Sequence, residues 1–270
     1  MNQVQLKQEI FNKKSFLCVG LDTEFSKIPI HFQTTKNAVV EFNKAIINAT
    51  KNYCVSYKIN TAFYEAMGVE GWRMMEETLQ YIPETHFKIA DAKRGDIGNT
   101  SHQYAKAFFE TLQFDAITVA PYMGEDSLRP FLEYENKTTI VLGLTSNKGA
   151  NDFEMLRTED GFVFEEVIEK VSKWGTTNNT MFVIGATQAK QLQDIRKIIP
   201  QHFLLVPGVG FQGGSLQDVA KYGMNNEVGL LVNASRAIIY ASENEDFDTE
   251  AAAIAKQYQF EMEELINIYK

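Results

Sequence analysis

The segment DAKRGDI at 91–97 places Asp91, Lys93 and Asp96 at the end of an apolar run, and YKIN at 57–60 ends another run on a second lysine, Lys58. Residues two apart on a strand point the same way, so Asp91 and Lys93 face one side. With Lys58 arriving from the strand before, the residues compose an alternating Lys–Asp–Lys–Asp array in poorly hydrated surroundings. Such an array can hold fixed positive charge where an anion develops and then deliver a proton. The competing structural reading is an ion-pair network that merely closes one end of the fold, but burying four charges is a weak route to stability. A second signal is PGVGFQGGS at 207–215, where Gly208, Gly210, Gly213 and Gly214 permit positive φ and close backbone approach. Alone, a glycine-rich loop is more often just a turn. A third is NASRAII at 233–239, where Ser235 opens a short helix whose free N–H groups would point at an anion, with Arg236 adding a forked cation. Together the last two predict a phosphate site.

These residues need a frame. Short apolar runs recur at 16–21, 55–60, 87–92, 116–121, 139–144, 181–186, 203–209 and 228–233. Runs this short, without strict alternation, fit strands buried on both faces of a parallel sheet. Helical spacing lies between them: Val39, Phe42, Ile46 and Ala49; Trp72, Met75, Leu79 and Ile82; Val163, Val167 and Val171. Strand and helix alternating eight times predict a closed (β/α)8 barrel, the TIM barrel, as a single α/β domain over 1–270, with an open doubly wound sheet as the rival. Residues 1–13 read as a leading helix. Residues 247–269 read as a closing one, with Ala251, Ala255, Tyr258, Met262, Leu265 and Tyr269 on one face. Barrel chemistry sits at the C-terminal strand ends, which here carry Asp22, Lys58, Asp91 with Lys93, Thr145 with Ser146, Pro207 with Gly208, and 233–236.

The 270 residues carry a formal charge of −9, which leaves no global basic footprint for nucleic acid or an anionic membrane, though one local pocket can still take a small anion. No apolar run approaches the length of a membrane span, and the N-terminus lacks the pattern of a signal peptide, so a cytoplasmic chain is expected. Cys18 and Cys54 sit in apolar runs away from any CxxC, and His31, His86, His102 and His202 are scattered, which argues against structural zinc.

From FLCVGLD (16–22) through YKIN, DAKRGDIGNT (91–100), LTSNKGA (144–150) and VPGVGFQGG (206–214) to NASRAI (233–238), the chain resembles the orotidine 5′-phosphate decarboxylases, in that family's order and spacing. The long stretch between the fourth and sixth strands resembles its longer bacterial branch, type 2. The D-x-K-x-x-D element is shared with sister sugar-phosphate lyases. The resemblance implies a cofactor-free, metal-free decarboxylation of orotidine 5′-monophosphate to uridine 5′-monophosphate and CO2, the last step of de novo pyrimidine synthesis. It implies that Lys58, Asp91 and Lys93 surround the reacting carbon, with Lys93 stabilising and protonating it. Asp96, Ile97 and Thr100 would reach the partner subunit's site in a homodimer. Asp22 would hold ribose hydroxyls, Ser146 the pyrimidine edge, and Pro207 would lie beneath the base. Gln212, Gly214, Ser235 and Arg236 would surround the phosphate. Phe211 stands where relatives usually have a small residue, and Lys148 where a proline is frequent. The rival functions are a metal-dependent sugar-phosphate lyase on the same frame and a non-catalytic nucleotide-binding barrel.

Overall fold

In an open sheet, eight short apolar strands would leave two unpaired edges; here they close on themselves. The computed structural model describes residues 1–210 and 213–269. Its strands are β1 (Leu17–Gly20), β2 (Ser56–Asn60), β3 (Phe87–Arg94), β4 (Ala116–Val119), β5 (Thr138–Leu144), β6 (Thr180–Ile184), β7 (Phe203–Pro207) and β8 (Leu230–Ala234). They form one closed barrel in chain order, all pairs parallel, with β8 returning to β1. Inward side chains fill the barrel and outward ones meet the helices, so β1, β4, β6 and β8 are buried along their whole length. The open doubly wound alternative is therefore set aside.

The helix Ala38–Thr50 buries Val39, Phe42 and Ile46, and Gly68–Tyr81 buries Met75 and Leu79, while Trp72 stands 37% exposed at the edge of that face. In Val163–Trp174 the buried stripe is Phe164, Ile168 and Val171, and Val163 and Val167 only flank it. A phenylalanine and an isoleucine one position on remove more apolar area from water than two valines, so the helix turns to bury them. The helix Gln3–Lys13 starts with a reciprocal cap: the Asn2 side chain accepts from the Gln5 N–H at 3.0 Å, and Gln5 Oε1 from the Asn2 N–H at 2.9 Å. In Phe247–Tyr269, Ala251, Ala255, Met262 and Leu265 are buried, and Tyr269 at the last turn is exposed.

At the N-terminal end of the barrel, Lys13 Nζ donates to the carbonyls of Lys51 and Cys54, each at 3.0 Å, and lies 2.9 Å from His86 Nε2. Burial, and then the Lys13 ammonium, push the His86 imidazole down to about 4 from 6.5. His202, buried beside Arg196, is also down to about 4. The unfolded chain therefore binds more protons than the native one between these values, and stability is lost as pH falls through that window. Urea unfolding is expected to show this loss between pH 7 and pH 4.5. The substitution His86→Gln should remove about 1–3 kcal/mol of it; an unchanged pH slope in the variant would clear His86 of the effect. Burial also pushes the Cys18 and Cys54 thiols up, to about 12 and about 11, so neither offers a thiolate near neutral pH.

Candidate active site

The reacting groups meet where β3 leaves regular pairing. Ala90 pairs with Ile117, but the next pair is Arg94 with Val119, so β3 carries extra residues in a bulge between them. Inside the bulge Lys93 takes a left-handed φ of +47°, a conformation that costs a lysine roughly 1–2 kcal/mol. Simple strand alternation is therefore not what joins Asp91 and Lys93; the bulge is. Lys93 Nζ reaches Asp91 Oδ1 at 2.5 Å, Lys58 Nζ reaches Asp91 Oδ2 at 2.8 Å, and Lys58 Nζ reaches Asp22 Oδ1 at 3.4 Å.

Within one chain the array thus runs Asp22–Lys58–Asp91–Lys93. Asp96 stands outside it, its Oδ1 accepting from the N–H of Ile97 at 2.8 Å, while Ile97 is 57% exposed and Thr100 is exposed on the next turn. Burial works against charge on Asp91, yet Lys58 and Lys93 on either side outweigh it and hold the carboxyl well below the usual carboxylate range. Burial likewise works against the Lys58 ammonium, and Asp22 and Asp91 outweigh it, holding it above the ordinary lysine value. Lys58 is buried, whereas the Lys93 side chain is 50% exposed. One lysine is locked and the other faces the opening.

Two adjoining cavities share Lys58, Asp91 and Pro207 at the C-terminal strand ends. One, of 280 Å³, is lined also by Lys93, Thr118, Leu142, Ser146, Val183 and Leu205. The other, of 190 Å³, adds Asp22, Asn60, Gly208, Asn233, Ser235 and Arg236. A larger cavity of 530 Å³ opens at the other end of the barrel, around Glu84, Lys88, Glu110 and Lys137, away from the strand ends where barrel chemistry is built. Ser146 is set by close packing: a Cβ on Gly185, at the end of β6, would lie 2.7 Å from the Ser146 Cβ. The loop carrying Ser146 is tied by Glu154, which accepts from the Thr145 N–H at 2.7 Å and the Thr145 hydroxyl at 2.8 Å. Lys148 opens the short helical turn Lys148–Asp152 of the same loop.

The glycine loop differs in part from its expected role. Gly208, Gly210 and Gly213 have φ of +95°, +76° and +85°, as a tight turn requires. The N–H groups of Gly210, Gly213 and Gly214 donate inside the loop, to Gly214, Gly210 and Gly208 carbonyls. Gly214 faces Ala186, where a Cβ would approach to 2.4 Å, and lines a separate groove with Ile254 and Tyr258 instead of the two shared cavities. Gln212 and Phe211 lie outside the described residues. The helix after β8, Arg236–Ile239, has a single turn, and the Ser235 hydroxyl donates to the Gly20 carbonyl at 3.0 Å instead of capping it. So short a stack of peptides has little dipole, and the cation at this end of the groove is Arg236.

Two polar groups, Thr118 and Asn60, escaped the reading of the sequence, and a third, Asn233, was read only as a strand-end residue without a role. Thr118 bonds to both Lys93 and Asp91, Asn60 caps the short helix Thr61–Glu65 beside Lys58, and Asn233 lines the smaller cavity with a buried Oδ1. The available signal was a polar residue interrupting an apolar run, as threonine does in AITV.

A closed (β/α)8 barrel whose strand ends hold two lysines alternating with two aspartates, beside an arginine and a glycine turn, defines a barrel enzyme that works by placed charge on a small anionic molecule. The model of the orotidine 5′-phosphate decarboxylase / HUMPS family matches residues 15–251. Orotidine 5′-phosphate decarboxylase of Flavobacterium johnsoniae is 56% identical over 270 residues, covering 99% of both chains. That of Christiangramia forsetii is 57% identical over 265 residues and 97% of both. Among solved structures, Leishmania donovani OMP decarboxylase superposes with a TM-score of 0.82 at 36% identity, over 96% of this chain and 99% of that one. The chain belongs to the orotidine 5′-phosphate decarboxylase / HUMPS family.

Proposed function

We propose that this protein decarboxylates orotidine 5′-monophosphate to uridine 5′-monophosphate and CO2, the last step of de novo UMP synthesis, with Lys93 as the group that meets the reacting carbon. The observation that carries the reading is the array itself: a half-exposed ammonium held 2.5 Å from a buried carboxylate at the mouth of the groove. When the C6–carboxylate bond breaks, its electron pair stays on C6. The Lys93 ammonium stabilises that pair and then gives C6 a proton, and the neutral amine regains one from water. Asp91 orients Lys93 and lies beside the substrate carboxylate, disfavouring the ground state. Lys58, fixed between Asp22 and Asp91, holds both acids in place, and Asp22 is left to face the ribose.

Ser146 and Pro207 line the base side of the groove, and Arg236 marks its phosphate end with Ser235, where Gln212 joins them in this reading. Binding energy from the phosphate drives the base into position without touching the bond that breaks. Removing a forked, charge-assisted contact costs about 1.5–3 kcal/mol. Arg236→Ala is therefore expected to raise KM by about 10- to 100-fold with kcat nearly kept. A fall confined to kcat would put Arg236 in the wrong role.

The enzyme acts as a homodimer in which Asp96, Ile97 and Thr100 complete the partner's site. Their position outside their own chain's array, with Ile97 exposed, supports this. Two buried free thiols support a reducing, cytoplasmic setting. The direct test is loss of orotate absorbance when the purified protein meets orotidine 5′-monophosphate in EDTA. Activity that vanishes with the chelator would instead point to a metal-dependent lyase, and tight binding without CO2 release to a nucleotide-binding barrel.

A further inference from the structure

We propose that Thr118 is a positioning residue for proton delivery: its hydroxyl holds the Lys93 backbone and the Asp91 carboxylate in one fixed relation. In β4 it stands between Ile117 and Val119, 1% exposed, and it lines the larger of the two shared cavities. The hydroxyl is used at both ends. It accepts from the Lys93 N–H at 2.9 Å and donates to Asp91 Oδ1 at 3.0 Å.

Each bond answers a local problem. The register of β3 skips between Ala90 and Arg94, and within the skip Lys93 sits at a left-handed φ. A side-chain acceptor there satisfies a partly buried N–H and stabilises the bulge that turns Lys93 toward the mouth. On the other side, Asp91 Oδ1 takes Thr118 and Lys93, while Oδ2 takes Lys58. With three donors spread over two oxygens the carboxylate cannot rotate, so the half-exposed Lys93 ammonium keeps one address. Valine has the shape of threonine but can make neither bond.

This inference rests on the reading of Lys93 as proton donor, and the test separates the two. Thr118→Val is expected to lower kcat by about 10- to 100-fold, the worth of a hydrogen bond to a charged group. Affinity for uridine 5′-monophosphate should stay within about threefold, and Thr118→Ser should restore kcat to within about threefold of the parent, since it keeps the hydroxyl. Deuterium uptake at C6 of uridine 5′-monophosphate in D2O, the reverse of the protonation step, should fall in parallel with kcat. Thr118→Ala carries the same expectations should the valine variant not fold. A kcat near the parent's in Thr118→Val, a serine variant as impaired as the valine one, or nucleotide affinity lost in step with kcat would each overturn the proposal. Exchange that persists in Lys93→Ala would remove the Lys93 reading and this one with it. Exchange lost in Lys93→Ala but unchanged in Thr118→Val would remove only this one.

Discussion

Lys93→Ala is expected to lower kcat by at least about 10⁴-fold, because one side chain supplies two effects. General acid catalysis is typically worth about 10²–10⁴-fold, and a fixed charge at the developing anion about 10²–10³-fold. Affinity for uridine 5′-monophosphate should change by less than about tenfold, since the product carries no charge at C6 for Lys93 to answer. Lys93→Arg divides the two contributions. It keeps the cation but holds its proton far more tightly than an ammonium does, so it should recover part of the electrostatic effect and little of the proton transfer. Steady-state rates followed by orotate absorbance, with product affinity by calorimetry, give both quantities. Near-normal turnover in Lys93→Ala would mean that another group protonates C6.

Mixing two inactive variants provides the second large effect. If Asp96 serves the partner's site, Asp96→Ala and Lys93→Ala each silence their own homodimers. A mixed dimer then holds one site lacking both groups and one site with both, because the Asp96→Ala chain keeps Lys93 and the Lys93→Ala chain lends Asp96. Random exchange makes half the dimers mixed, and half of their sites whole, so about a quarter of parental activity should return. Co-expression with two affinity tags, or subunit exchange in mild denaturant, would show the recovery. Absence of recovery despite proven mixing would place Asp96 in its own chain's site or in no site. In the present geometry Asp96 spends Oδ1 on the neighbouring Ile97 N–H, 2.8 Å away, and makes no ion pair with the array among the described residues.

Much of the frame was legible because it depends on local pattern. Runs such as 116–121 and 228–233 are too short for helices and too uniformly apolar for half-exposed strands. Buried parallel strands were the remaining choice, and β4 and β8 occupy those runs. The helix Val163–Trp174 shows where pattern falls short. Valines spaced 163, 167 and 171 and the stripe at 164, 168 and 171 are nearly the same helical face, and only the volume waiting against the sheet selects between them.

The types and order of the charged residues, Asp22, Lys58, Asp91, Lys93 and Arg236, were settled by the chain itself, as was their place at strand ends. Local periodicity carries that information, because strand and helix differ in repeat. Partnership was settled only in three dimensions. Asp22, not Asp96, terminates the array within one chain, since the parallel register of β1 on β2 sets Gly20 opposite Lys58 and brings Asp22 within reach of it. Lys93 meets Asp91 through a bulge held by Thr118, 25 residues further along the chain. Contacts between residues so far apart follow from how strands stagger around a closed barrel, a property of the whole ring that no local stretch of sequence encodes.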